Sequence, residues 1–355
     1  MIQTIISGLF CGILLGFVLQ RGRFCVTGAF RDLYLTRESR MFVAFLLAIT
    51  VQSVCIFLLS AAGLIQLAKV PFAWLGAIVG GFVFGVGMVC AGGCATGTWY
   101  RAGEGLIGSW VALFAYMASS AMMKHGSLKP LNQFFGQYKV EQGAIYETVG
   151  LSPWLLILLL AGVTGYLVWR HLKQPAVRIP SLPPRRKGLA HLLFEKRWHP
   201  FVTAVLVGLI ATLAWPLSEA TGRMFGLGIT TPSANLLGYL VTGETKMLDW
   251  GVFLVLGILV GSFIAAKGSR EFRWRVPSAS TMVTSFIGGL LMGFGASIAG
   301  GCTIGNGLVN TALLAWQGWV AVPFMLVGSW VATYFLMVRP RQRSRQTAVE
   351  AIQSA

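Results

Sequence analysis

Two copies of one pattern decide how this chain folds: Gly85-Val86-Gly87-Met88-Val89-Cys90-Ala91-Gly92-Gly93-Cys94 and Gly293-Phe294-Gly295-Ala296-Ser297-Ile298-Ala299-Gly300-Gly301-Cys302. Both copies keep the two early glycines and the ending Ala-Gly-Gly-Cys, and both close a long apolar run. An apolar helix that ends in a glycine pair and a thiol is unusual. Its repetition indicates a duplicated site inside a membrane.

The composition around these copies is that of a membrane protein. Of the 355 residues, 55% are hydrophobic and 11% are charged, whereas soluble domains carry about 25% charged residues. Many apolar stretches reach about 18 residues or more, which is enough to span a bilayer. The net charge of +17 comes from basic residues clustered in short loops between apolar runs. That arrangement indicates membrane topology and argues against nucleic-acid binding.

The predicted fold class is an all-α polytopic membrane protein with nine transmembrane helices and additional short, broken helices. The predicted spans are about 2–20, 41–64, a third ending at Cys94, 106–123, 154–169, 201–217, 250–266, an eighth ending at Cys302, and 315–338. Lysine and arginine are concentrated after spans 1, 5, 7 and 9. The positive-inside rule then places the N-terminus outside and the C-terminus inside the cell.

This topology makes the two cysteine motifs antiparallel, because spans 3 and 8 run in opposite directions. Gly22-Arg23-Phe24-Cys25 after span 1 also matches Gly222-Arg223-Met224-Phe225 after span 6. Spans 1–4 and 6–9 therefore read as an inverted repeat, a transporter architecture. The predicted divisions are a first repeat over 1–124, an outer segment with connector helix and basic cytoplasmic linker over 125–200, a second repeat over 201–338, and a basic cytoplasmic tail over 339–355.

The glycine pairs that precede Cys94 and Cys302 are predicted to break their helices. Irregular backbone at membrane depth must lie inside the protein or along a cavity. New short helices can start behind each break, capped by the polar residues Thr96, Thr98, Thr303 and Asn306. Helix N-termini favour anions. The alternative role for glycine is close helix packing, which we favour for the more distant pairs Gly80-Gly81 and Gly288-Gly289.

The cysteines of the apolar runs differ in their surroundings. Cys11 and Cys55 lie within ordinary apolar sequence and are expected to be packing residues. Cys90 precedes Cys94 by one helical turn, but no histidine lies in an apolar run and Ile298 takes the matching place in the second copy. We therefore expect no metal and no cofactor.

Cys25, Cys94 and Cys302 each lie where a helix breaks, with packing as the alternative role. A thiol is a weak donor and a soft partner. An anion with a hard sulfonate end and a soft terminal sulfur, such as thiosulfate, would suit both helix N-termini and thiols, whereas sulfate lacks the soft sulfur. The predicted site residues are Cys25, Cys94, Cys302, Gly93, Gly301, Thr96, Thr303 and the matched cations Arg23 and Arg223.

Three ionisable residues near the breaks have open roles. Arg101 and Glu104 follow Cys94 at a spacing that allows them either to pair with each other or to serve the site. Glu219 is the candidate proton carrier, although no intramembrane carboxylate stands out.

The chain resembles the YeeE/YedE family of bacterial inner-membrane sulfur-compound transporters. The resemblance covers essentially the whole chain and is closest to the YeeE branch. It rests on Arg21-Gly22-Arg23-Phe24-Cys25, the two Ala-Gly-Gly-Cys motifs, and the linker from Pro183-Pro184-Arg185-Arg186 to Pro200. It implies an hourglass fold with short helices at its waist, thiosulfate uptake, and functional cysteines that match Cys25, Cys94 and Cys302. It also implies a TusA-like sulfurtransferase as cytoplasmic partner.

The prediction is therefore an inner-membrane thiosulfate importer, not an enzyme, in which the anion passes the thiols by S–H···S hydrogen bonds. One alternative is a transporter of a selenium compound or another sulfur oxyanion. A second is a membrane thiol sulfurtransferase that forms a persulfide. The sequence has no Cys-x-x-Cys pair and no histidine near these thiols, which argues against the second alternative.

Overall fold

The computed structural model describes residues 1–67, 69–174, 187–196 and 198–342, and these residues are almost entirely helical. The prolines and arginines predicted to form the linker at 180–186, and the tail beyond 342, lie outside the described residues. The helices of the first half are α1 Ile2–Gly22, α2 Val26–Leu35, α3 Arg40–Ala61, α4 Trp74–Cys90, α5 Ala95–Gly103 and α6 Ile107–Lys124.

The connecting region contains α7 Lys129–Gln137, α8 Ile145–Val149, α9 Pro153–Lys173 and α10 Leu189–Phe194. The helices of the second half are α11 Pro200–Glu219, α12 Thr230–Thr242, α13 Trp250–Gly268, α14 Ala279–Ile298 and α15 Trp316–Thr333. Single π-helical turns cover Gly305–Asn310 and Tyr334–Val338, and a 3₁₀ turn covers Thr245–Met247. Strands β1 Phe72–Ala73 and β2 Lys139–Val140 pair antiparallel.

The all-α polytopic prediction is confirmed, with one difference in the count of spans. Within the described chain, 8 helical segments are long and apolar enough to cross a membrane. The predicted fourth span does form a helix, α6, but it is not among those 8. Ser109, Ser119 and Ser120 are buried in it, because they face neighbouring helices instead of lipid.

Helices of the two halves pack in matching pairs. Helix α1 packs on α13 as α11 packs on α3, and α4 packs on α15 as α6 packs on α14. The short helices follow the same rule, with α2 against α15 and α12 against α6. Each of these contacts thus has a counterpart in which the helix from the first half and the helix from the second half are exchanged, as expected for two structural repeats.

Helices α4 and α14 cross at the centre of the molecule and run antiparallel. A Cβ on Gly80 would lie 2.5 Å from the Ala299 nitrogen, and a Cβ on Gly87 would lie 2.7 Å from the Met292 nitrogen. Residue numbers therefore increase along α4 in the direction in which they decrease along α14. The predicted packing role of Gly80 is confirmed, since only glycine allows backbones to approach this closely.

The segment between α6 and α9 folds over the end of the molecule where α15 begins. Its Gly143 carbonyl accepts from the Trp316 N–H at 2.8 Å, and the Ile145 N–H donates to the Leu314 carbonyl at 2.9 Å. Helix α9 packs against α3, where the Thr50 and Thr164 hydroxyls hydrogen-bond at 3.0 Å. Most of its other surface is exposed, as expected of a peripheral connector helix.

Candidate functional site

Both Ala-Gly-Gly-Cys motifs form the same sharp break between helices. Helix α4 ends at Cys90 and helix α14 ends at Ile298. Gly92 and Gly300 take left-handed backbone conformations, with φ values of 70° and 71°, which a side chain would strain. A short helical segment follows each break, α5 in the first copy and the π-helical turn in the second, and residues 91–94 and 299–302 are here called the first and second re-entrant loops.

The polar residues behind the breaks do not cap these segments as predicted. Helix α5 begins directly after Cys94, so its threonines lie inside the first turn. Thr98 donates back to the Ala95 carbonyl. Asn306 instead donates to two carbonyls of its own loop, Ala299 at 2.8 Å and Gly301 at 2.9 Å. It therefore fixes the shape of the loop.

Each cysteine of the predicted site lies at a helix break. Cys25 is the N-cap residue of α2 and its sulfur accepts from the Gly28 N–H at 3.3 Å. Cys94 is the N-cap residue of α5 and is 3% exposed, and Cys302 is fully buried. Cys94 lies close enough to both Cys25 and Cys302 for electrostatic interaction, and its thiol neighbours the Thr303 hydroxyl. The structure therefore brings the three thiols into one region, with Cys94 in the middle.

A cavity of about 210 Å³ opens at Cys25, here called the Cys25 cavity. Thr27, Gly28 and Gly92 contribute to its wall, so it reaches the first re-entrant loop. The charged residues of its lining are Arg23, Arg31, Asp32 and Arg101.

A second cavity of about 270 Å³ opens at Cys302, here called the Cys302 cavity. Gly300, Gly301 and Arg223 line it, together with the first turn of α12. Phe225, which the repeat pairs with Cys25, also lines it. Because α4 and α14 are antiparallel, the two loops lie toward opposite ends of this helix pair.

The predicted cations differ in how they are held. Arg23 pairs with Glu104 at 3.3 Å and with Glu271 at 2.7 Å. Glu104 therefore takes Arg23 as its partner, and the predicted alternative of an Arg101–Glu104 pair is wrong. Arg223 instead donates to the Phe225 and Gly226 carbonyls and Ser218 hydroxyl of its own loop.

The Arg23 ion pairs extend to Glu271, which lies outside the spans in the loop between α13 and α14 and joins it to the end of α1. Glu271 accepts from the Gln20 amide at 2.8 Å and lies 3.8 Å from Arg21. Burial raises the pKa of Glu271, but the Gln20 hydrogen bond and the charges of Arg23 and Arg21 outweigh it. The pKa of Glu271 is therefore below its ordinary value.

Other polar residues support the site without having been singled out from the sequence. Gln317 donates to the Ala299 carbonyl at 2.7 Å, and its oxygen accepts from the Ala73 N–H of strand β1 at 2.9 Å. Tyr116 donates to the Thr230 hydroxyl at 2.9 Å and lies near Cys302. Nothing in their local sequence marks them, because their partners are distant in the chain. Glu219, by contrast, accepts weakly from the Gln66 N–H, away from these thiols.

The Thr27, Thr96 and Thr303 hydroxyls are buried; the first two lack hydrogen-bond partners within the described part of the chain, and the third lies against the Cys94 thiol. Each follows one of the three cysteines by one or two residues. Buried hydroxyls in proteins are normally satisfied, so the unpartnered hydroxyls of Thr27 and Thr96 point to a polar ligand near Cys25 and Cys94.

Comparison with known proteins finds relatives that align over almost the whole chain. The thiosulfate transporter TsuA of Escherichia coli K12 is 60% identical over 351 residues, which cover 99% of this chain and 100% of that protein. The thiosulfate transporter TsuA of Spirochaeta thermophila is 35% identical over 347 residues, 94% of this chain and 99% of that protein. The probable transporter YedE of E. coli is 38% identical over 102 residues, 28% of this chain and 24% of that protein. Residues 21–331 match the sulphur-transport family, and the chain belongs to that family of membrane transporters.

Proposed function

We propose that this protein imports thiosulfate across the bacterial inner membrane along a path formed by its three site thiols. The observation that carries the proposal is the position of Cys94, which is buried between Cys25 and Cys302 at the meeting point of two re-entrant loops. Two relatives that align over almost their whole length are named thiosulfate transporters. The proposed order of contact is Cys302, Cys94 and Cys25.

The chemistry of the path suits an anion with two different ends. The soft terminal sulfur of thiosulfate accepts S–H···S hydrogen bonds from the thiols, which stay protonated and form no covalent bond. Its oxygens accept from the buried hydroxyls of Thr27, Thr96 and Thr303 and from N–H groups at the helix breaks. Because a Cβ on Gly97 would lie 3.5 Å from the Cys94 sulfur, the absence of a side chain there leaves room beside the thiol.

The proposed direction follows from the basic residues of the loops. Arg37 lies between α2 and α3, Arg40 is the first residue of α3, and Arg270, Arg273 and Arg275 lie between α13 and α14. The positive-inside rule places these loops in the cytoplasm. The Cys302 cavity then faces outward and the Cys25 cavity faces inward, with the N-terminus outside and the C-terminus inside.

The test is uptake of labelled thiosulfate into cells that lack other sulfur sources. Changing Cys25, Cys94 or Cys302 to Ala should abolish uptake and growth on thiosulfate at normal protein levels. Cys11→Ala is the matched control, since this buried cysteine of α1 lies outside the site, and it should leave uptake within about twofold. Normal uptake by any of the three site variants would refute the thiol path.

The alternatives give different results in the same system. A transporter of selenium compounds or other sulfur oxyanions would show stronger competition by those anions than by unlabelled thiosulfate. A sulfurtransferase would leave a persulfide, detectable by mass spectrometry on Cys94 or Cys302. Uptake into proteoliposomes with imposed ion gradients would identify the driving force.

A TusA-like sulfurtransferase is the proposed cytoplasmic acceptor of the imported sulfur. Support for it comes from the family resemblance and from chemistry, because a sulfurtransferase thiolate can take the terminal sulfur of thiosulfate as a persulfide when the S–S bond breaks and sulfite leaves. Binding of a purified TusA-like protein to inside-out vesicles that carry this transporter would test it. Equal binding to vesicles without the transporter would refute it.

A further inference from the structure

Three arginines line the Cys25 cavity, and two of them are neutralised. Arg23 pairs with Glu104 and Glu271, and Arg31 pairs with Asp32 at 2.8 Å. No carboxylate of the described residues lies within salt-bridge distance of the third, Arg101. Its positive charge therefore has no direct ion-pair partner, although Glu104 lies near enough to interact with it electrostatically.

The contacts of Arg101 are neutral acceptors. One guanidinium nitrogen donates to the Gly92 carbonyl of the first re-entrant loop, and the other lies 3.4 Å from the Cys25 sulfur. Helix α5 carries Cys94 at its N-cap and Arg101 in its last turn. Helix α5 thus connects Cys94, the central thiol, to the Arg101 guanidinium that contacts Cys25.

The surroundings of Arg101 are those of a ligand site. Thr27 and Thr96 are each 3% exposed and their hydroxyls lack partners among the described residues. Thr27 lines the same cavity as Arg101. A Cβ on Gly93 would lie 3.4 Å from an Arg101 nitrogen, so glycine at this position keeps the guanidinium accessible.

The second re-entrant loop is held differently. Its Ala299 and Gly301 carbonyls accept from the uncharged amides of Asn306 and Gln317. A neutral amide is sufficient to hold a carbonyl. The Gly92 carbonyl is instead held by the charged guanidinium of Arg101, although a hydrogen bond to a carbonyl does not need a charge. Binding of an anion is a role that does need the charge.

We propose that Arg101 is the anion ligand of the Cys25 cavity, binding the sulfonate end of thiosulfate while the terminal sulfur passes from Cys94 to Cys25. This inference rests on the proposed function. It gives Arg101 the anion-binding role that the sequence pattern assigned to Arg23. Guanidinium suits the task because its fork of N–H donors can engage two oxygens at once.

The test distinguishes two roles of Arg101: binding the anion through its charge, and holding the first re-entrant loop through its hydrogen bond to the Gly92 carbonyl. Arg101→Lys keeps the charge, Arg101→Gln keeps a donor for the Gly92 carbonyl without charge, and Arg101→Met keeps neither. Arg40→Gln is the control, since it removes one positive charge at the start of α3, where Arg40 pairs with Glu38 outside the Cys25 cavity. Initial uptake rates give KM and the maximal rate for each variant.

Loss of a charge-assisted contact should raise the KM for thiosulfate about tenfold or more in Arg101→Gln and Arg101→Met. Arg101→Lys should retain most of the affinity, and Arg40→Gln should stay within about twofold. Purified Arg101→Gln should melt near the wild-type temperature but lose the stabilisation that thiosulfate gives the wild type. Equal KM values for Arg101→Gln and the wild type would overturn the inference. So would full uptake activity of Arg101→Gln combined with loss of activity in Arg101→Met alone. Failure of the wild type itself to take up thiosulfate would instead refute the proposed function.

Discussion

The crossing of α4 and α14 makes a quantitative prediction about Gly80. A Cβ at this position would meet the Ala299 nitrogen at 2.5 Å and the Gly295 carbonyl oxygen at 2.6 Å. Ordinary contacts between non-bonded atoms lie near about 3.5 Å, so the Gly80→Ala change requires the helices to separate by about 1 Å. Both close atoms belong to backbone and cannot rotate away. Overpacking of this kind costs roughly 1–3 kcal/mol.

The displacement also reaches the site, because Ala299 begins the loop that leads to Cys302. Gly80→Ala should therefore lower the melting temperature of the detergent-solubilised protein by several degrees and reduce thiosulfate uptake. Gly162→Ala in α9 is the matched control, since nothing lies within 4 Å of a Cβ there. It should melt at the wild-type temperature or slightly above. Wild-type melting and uptake in Gly80→Ala would refute the close-packing argument.

Three further substitutions have expected outcomes. Glu271→Gln should lower the melting temperature at pH 7, because a carboxylate with a lowered pKa stabilises the fold above its unfolded pKa of about 4.3. The difference from wild type should fade as the pH falls through the lower folded-state pKa, and a difference that persists there would contradict this. Asn306→Leu should reduce uptake more than tenfold and lower stability by about 1–3 kcal/mol, because the Gly301 carbonyl loses its amide donor and the Ala299 carbonyl keeps only that of Gln317; unchanged uptake would exclude a role for this clamp. Trp99→Phe should cost a similar free energy in a melting assay, since its indole N–H donates to the buried Ser233 hydroxyl at 3.0 Å, and a stability equal to wild type would show that this bond contributes nothing.

The features that were predictable from the sequence are those set by local pattern. Apolar length defines the spans, and the repeated Gly-Gly-Cys ending marks the breaks, so the positions of Cys94 and Cys302 beside re-entrant loops follow from the motif alone. The left-handed conformation of Gly92 and Gly300 explains why this motif needs glycine at that point.

Features that depend on contacts between distant segments were not predictable. Glu104 pairs with Arg23 and not with Arg101, because the end of α1 meets the end of α5 only in the folded chain. Asn306 was mispredicted for another reason: its partners are local, but an amide can either cap a helix or bind carbonyls of the loop before it, and the residue type does not decide between the two. A matched sequence position, as for Arg23 and Arg223, indicates a similar place in the fold but says nothing of the partner that neutralises the charge.

The burial of Cys94 between the two cavities also has an electrical consequence. Cavities that admit solvent carry little of the voltage across a membrane, so most of it falls across the short closed section around this thiol. A dianion that moves toward the negative side of a 100 mV potential must gain about 4.6 kcal/mol, from about 2.3 kcal/mol for each charge. Nearly all of that work is concentrated in the single step past Cys94. Inward flux should therefore depend steeply on voltage unless a co-transported cation or rapid chemical removal of thiosulfate offsets it.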